Sequence, residues 1–267
     1  ANGALGVSTS GALTVSGPVT SGGNGSLSLT TSSGNIAVNS SIAASGSGNV
    51  IVDAAGNLLI SGSVSSLGGN LLLTGGTGVS ASNGVQLSGG SVDVTAGSGN
   101  ITLTGVTSKA GTGGSTLTAT GNITVQNVTA ASGALTVQNG GTFIVAGPLT
   151  LNAALTQTGA GGVDLNSSIT GSGGAVQLDS PVSVASGVAA SIVTSGGSIS
   201  LQQSASGGSA ASLTLSAGTG NITLNGASSL SNLTLQSGGT LSLAGATNVD
   251  SLNATGVTGG IVIAGAS

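Results

Sequence analysis

The 267-residue sequence has no Cys, Met, Trp, Tyr or His, and Phe143 is its one aromatic ring. Charge is almost as scarce. Lys109 is the single base and the five acids are all Asp, for a net charge of −4. Ordinary globular domains carry about a quarter charged residues, against 2% here. Each absence closes a class of function. Without Cys or His there is no ligand set for zinc, haem or iron–sulfur sites, and neither a disulfide nor thiol chemistry is available. One Lys makes no basic footprint and one ring makes no stacking platform, which speaks against nucleic acid as a partner. No apolar run approaches the ~18 residues of a membrane helix. A transmembrane barrel needs aromatic girdles at both interfaces, so the chain reads as not membrane-spanning. It opens Ala1-Asn2-Gly3, without Met or an apolar signal region, and reads as a processed product or an excerpt of something longer. The lack of Cys fits export through an envelope.

What is present is Gly (52 residues), Ser, Thr and Asn, with Val, Ile, Leu and Ala spread along the whole length. The mean hydropathy of +0.51 supplies apolar content that disordered chains lack. Helix is disfavoured, because the strong charged helix formers are nearly missing. The clearest pattern is Gly-Asn followed by three residues with apolar first and third positions. It begins at Gly34, Gly48, Gly56, Gly69, Gly99, Gly121 and Gly220. Looser units such as Ala12-Leu13-Thr14-Val15, Ser91-Val92-Asp93-Val94 and Thr240-Leu241-Ser242-Leu243 fill the gaps. Apolar and small polar residues alternate with period two, which is a short strand with one buried face. Gly, Asn and Ser clusters between the units mark turns, where positive φ is expected. Pro18, Pro148 and Pro181 are expected at first strand positions, where a missing N–H is tolerated.

Spacing selects the architecture. Ile36 and Leu58, Val50 and Leu71, Ile101 and Ile123, Leu213 and Leu233, and Leu241 and Ile261 recur in phase after 20 to 22 residues. That period predicts an all-β fold, a single-stranded parallel β-helix (β-solenoid) of roughly 12 to 13 turns. At about 4.8 Å per turn the rod is about 60 Å long. Aliphatic files are expected down a dry centre, with Thr, Ser, Gln and Asn outside. Residues 1–267 read as one domain, with an irregular turn expected between Ser183 and Ser212, where regular units are sparsest.

The Gly-Asn-Ile-Thr-Leu units, the stretch from Ser33 to Thr104 and the near absence of charge resemble the repeat regions of bacterial surface exoproteins. The similar types are filamentous-haemagglutinin-like and autotransporter-like adhesins. Exoproteins of the two-partner pathway share a secretion domain with Asn-Pro motifs, and this sequence has no Asn-Pro. The resemblance therefore points to repeat shaft. It implies a right-handed β-helix, secreted or held at the bacterial cell surface, used in adhesion, aggregation or fibre formation.

No catalytic, cofactor-binding or metal-binding residue is assigned. Asp93 and Asp164 sit between apolar neighbours and should point outward. Asp53 and Asp93, 40 residues or about two turns apart, would stack roughly 10 Å from one another, too far for an acid–base pair. Asp179 and Asp250 stand alone. Calcium rolls need Gly-Gly-x-Gly-x-Asp in each turn, which is missing. Gly111-Thr112-Gly113-Gly114 lacks the Lys of a phosphate loop and reads as a turn. Lys109 reads as a loop residue. Asn-x-Thr triplets at Asn122 and Asn221 are expected by chance in this composition. Thr102/Thr104 and Thr116/Thr118 are spaced for an ice-binding rank, but do not recur in every turn.

The function expected is a non-enzymatic, structural or adhesive extracellular fibre element. Its partner would be itself, further turns of the same long chain, or cell-surface glycans and other cells. Uncharged, strand-patterned ends at Ala1 to Thr20 and Gly256 to Ser267 favour such continuation. The alternatives are a carbohydrate-binding or carbohydrate-cleaving β-helix and an ice-binding solenoid. No cofactor is expected.

Overall fold

The computed structural model describes residues 3–264, which form strands and turns without a helix. Strands β1 (Leu5–Thr9), β2 (Leu13–Val15) and β3 (Val19–Ser21) make the first turn. Each founds a ladder of parallel strands. The first ladder runs Leu5, Leu27, Val50, Leu71, Val92 and onward to Ile261. The second runs Leu13, Ile36, Leu58, Val79, Ile101, Ile123, Phe143 and Val163. The third runs Val19, Ile42, Val64 and Leu87 and continues past Leu149. The chain is a β-solenoid of about 12 turns, spaced about 21 residues apart. All five residue pairs matched by spacing in the sequence are direct ladder partners.

The alternation does what its period requires. Leu27, Leu29 and Thr31 face inward, while Ser28 and Thr30 between them face out. The inward residues join one continuous core from Val15 to Leu243, with Phe143 fully buried within it. Most strands have three to five residues, and Ala189–Thr194 has six. Four are much longer, because the strand runs on through a corner from one ladder to the next: Gln86–Ala96, Thr107–Ala119, Ser228–Gln236 and Thr247–Thr255.

The Gly-Asn unit has a definite task. The Asn Oδ1 accepts the backbone N–H one turn further on: Asn35 from Asn57 at 2.8 Å, Asn49 from Asn70 at 2.8 Å, Asn100 from Asn122 at 2.7 Å. The preceding Gly lets the turns approach closely enough for that bond. A Cβ on Gly56 or Gly121 would lie 2.3 Å from the Asn Oδ1 of the turn before. These repeat glycines are absent from the positive-φ positions, which fall at other corners such as Gly23 and Gly84. Close approach, and not the left-handed conformation expected from the sequence, is what demands Gly there.

Three further expectations are corrected. The prolines sit one residue before their strands, which begin at Val19, Leu149 and Val182. There the Pro148 and Pro181 carbonyls accept ladder bonds from Val128 and Val163. The stretch from Ser183 to Ser212 is regular and pairs in register on both sides. Its one strained point is Ala210, at φ 58°. Register instead shifts between Gly89 and Ser91 and between Ser108 and Lys109. The turn from Val92 to Ser115 is 23 residues long, against 21 for the two before it, and the excess bulges out at Gly111, Thr112 and Gly113.

The centre is also not dry throughout. Asn139 and Gln157 are buried on the first ladder, and Ser180 is buried in the bend after the strand Val176–Leu178. Gln157 Nε2 donates to Asn139 Oδ1 at 2.7 Å and to Ser180 Oγ at 3.0 Å, and its Oε1 accepts the Ser180 N–H at 3.2 Å. Asn139 Nδ2 donates to the Gly141 carbonyl at 2.6 Å. Among the described residues no buried side-chain nitrogen or oxygen lacks a partner, so the seam costs little, because buried polar groups are expensive only when unpaired.

Candidate functional site

The five Asp residues face outward and do not converge. Asp93 accepts a bond from Ser91 Oγ at 2.8 Å, Asp179 from Gln177 Nε2 at 2.7 Å, and Asp164 from Ser183 Oγ. Asp53 aligns with Thr30 and Thr74, whereas Asp93 aligns with Leu72 and Thr116. They occupy different files two residues apart along the strand, which corrects the expectation that they stack. Among the described residues no three His, Cys, Asp or Glu side chains cluster. Lys109 lies exposed on the third ladder beside Ser88 and Ser132, at the edge of the bulge. Gly111 to Gly114 turn the corner, without a helix behind them to direct a dipole at an anion. Asn122 and Asn221 are both ladder residues, accepting the N–H of Thr142 and Thr240 at 2.8 Å each.

The threonines form files that the sequence spacing hid. Thr102/Thr104 lie on the second ladder and Thr116/Thr118 on the first. They are not one rank. In register, however, Thr116, Thr136 and Thr156 stack on the first ladder. Thr107, Thr129, Thr150 and Thr170 stack on the third. In-register stacks of β-branched hydroxyl residues stabilise neighbouring strands directly.

One interruption of the pattern makes a concave site. On the outer second ladder the file reads Asn35, Asn57, Gly78, Asn100, Asn122. Gly78 removes one amide from an otherwise continuous Asn file. In the next outward file Ser80 stands between Leu59 and Thr102. The result is an open notch of about 260 Å³, lined by Asn57, Leu59, Thr77, Ser80, Asn100 and Thr102. Thr77 Oγ1 donates to Asn57 Oδ1 at 3.1 Å, in the place of the missing ladder bond. Leu59, 45% exposed, forms an apolar wall. No charged residue lines the notch. The sequence reading missed it. Its signal was Thr77-Gly78-Val79-Ser80-Ala81, standing one turn after Gly56-Asn57-Leu58-Leu59-Ile60 and breaking the Gly-Asn unit.

Among the described residues no helix is long and apolar enough to cross a membrane. Comparison with protein-family models, curated proteins and solved structures found no match to this chain.

Proposed function

We propose that the chain is a structural and adhesive element of an extracellular fibre. It would be the repeat shaft of a bacterial exoprotein of the filamentous-haemagglutinin-like or autotransporter-like kind, secreted or held at the cell surface. The observation that carries this reading is the uninterrupted stack of parallel ladders, whose terminal described turns expose apolar strands. Leu5 and Val7 are 38% and 40% exposed at one end, and Ile261, Val262 and Ile263 are 52–58% exposed at the other. Residues 1–2 and 265–267, part of the ends expected to continue, lie outside the described residues. Open strand edges with apolar side chains take up further strands. Here these would be more turns of the same chain or a second copy, in a head-to-tail contact that does not close on itself. The same reading is non-catalytic, and the dispersal of the five Asp residues supports it.

Electron microscopy and light scattering of the purified chain test this directly. Filaments or lateral bundles that lengthen with concentration are expected. Strictly monomeric rods at high concentration would sink the self-association, and turnover in a polysaccharide-degradation screen would sink the non-catalytic reading. The threonine files favour a second reading, an ice-binding face, which thermal hysteresis would reveal.

A further inference from the structure

The notch at Gly78 serves no task of the repeat. Elsewhere in its file the Asn side chain receives the next turn's N–H, and here that side chain is gone. We propose that the notch binds one neutral hexopyranose ring of a surface glycan, a partner that rests on the adhesive reading above.

The lining chemistry selects the ligand. Asn57 and Asn100 have their Oδ1 atoms engaged within the protein, at 3.1 Å and 2.7 Å, which leaves both Nδ2 groups as donors. Ser80 and Thr102 add hydroxyls with no protein partner among the described residues, able to donate or accept. Two strand spacings separate Asn57 from Asn100, about 9–10 Å. A pyranose with hydroxyls at opposite ends, hydrogen-bonded at each, spans such a gap. The Leu59 side chain offers an apolar surface to the C–H face of the ring. With neither acid nor base in the lining, a sialic acid, uronate or phosphate finds no counter-charge and would be desolvated without compensation. A few placed polar groups beside an apolar wall is the usual form of a small-molecule site. With no aromatic ring to stack on, the affinity is expected near 1 mM, about −4 kcal/mol. Many shafts on one surface would raise that by avidity.

Saturation-transfer NMR with methyl glucoside, methyl mannoside and methyl galactoside tests the site. At least one is expected to show transfer, and Gly78→Asn is expected to weaken it tenfold or more. Asn is the residue this file carries in adjacent turns. A Cβ at Gly78 would meet Asn57 Oδ1 at 3.1 Å and the Asn100 carbonyl at 3.2 Å, so a shift of tenths of an ångström admits it. Should that variant fail to fold, Ser80→Leu fills the notch from the file of Leu59 and must give the same loss. Thr223→Asn, on the outer first ladder, must leave transfer unchanged. No transfer from any of the three glycosides, or transfer that survives both filling substitutions, would overturn the proposal. Normal filaments in the micrographs alongside either result would leave the fibre reading intact.

Discussion

One inward file of the first ladder contains two kinds of interior. From Leu29 through Val52, Leu73, Val94, Leu117 and Val137 it is aliphatic. The next residue is Gln157, after which Leu178 and Leu201 resume the aliphatic run. Gln157 is as buried as the residues around it, at 0% exposure. The two regions are held by different physics. The aliphatic stretch depends on filled volume and is indifferent to direction. The seam depends on matched donors and acceptors and tolerates no missing member. A solenoid interior position thus requires satisfaction, by packing or by hydrogen bonds, and not apolarity as such.

Substitutions sharpen that contrast. The largest loss is expected from Phe143→Ala, which empties the bulkiest site of the apolar interior, at about 3–5 kcal/mol in chemical denaturation. A loss under 1 kcal/mol would mean that neighbouring turns collapse into the gap. Gln157→Leu, close in volume and better in hydrophobicity, is nevertheless expected to destabilise by about 1–3 kcal/mol, because it strands Asn139 Oδ1 and the Ser180 N–H. Adding Asn139→Ala, which removes the stranded Oδ1, should restore part of that loss. The recovery stays incomplete, since the Ser180 backbone N–H still lacks its acceptor. If Gln157→Leu alone stabilises the chain, the seam is not the hydrogen-bonded unit described. The smallest effect, at most about 1 kcal/mol, is expected for Asn122→Ala. That side chain also bridges turns, but it is exposed, and water can take the Thr142 N–H in its place.

Much of the fold was readable in advance, for a simple reason. In a parallel stack every turn repeats the demands of the last, so phase along the sequence is phase along the axis. The pairing of Ile101 with Ile123 needed only counting. The assignment to ladders was less legible. The same Gly-Asn unit serves the second ladder at Gly34 and Gly121 and the first at Gly48 and Gly220, because both demand the same close approach. Gln157 had the inward parity of Leu155, yet its polarity argued for the surface, and its partners Asn139 and Ser180 lie 18 and 23 residues away. The Gly78 notch was invisible for a related reason. One glycine among 52 carries no information until its neighbours above and below are known to bear side chains.

By itself the sequence determined the strand period, the length of a turn and the poverty of charged chemistry. All three follow from local alternation and composition. Tertiary structure decided which residues share a file wherever the turn departs from its mean length, and which files meet at a site. Small differences in turn length, 19 residues from Ile222 to Leu241 against 23 from Val92 to Ser115, are absorbed at corners that no local pattern specifies. Vertical neighbours settle there, and with them the polar seam, the threonine stacks and the notch.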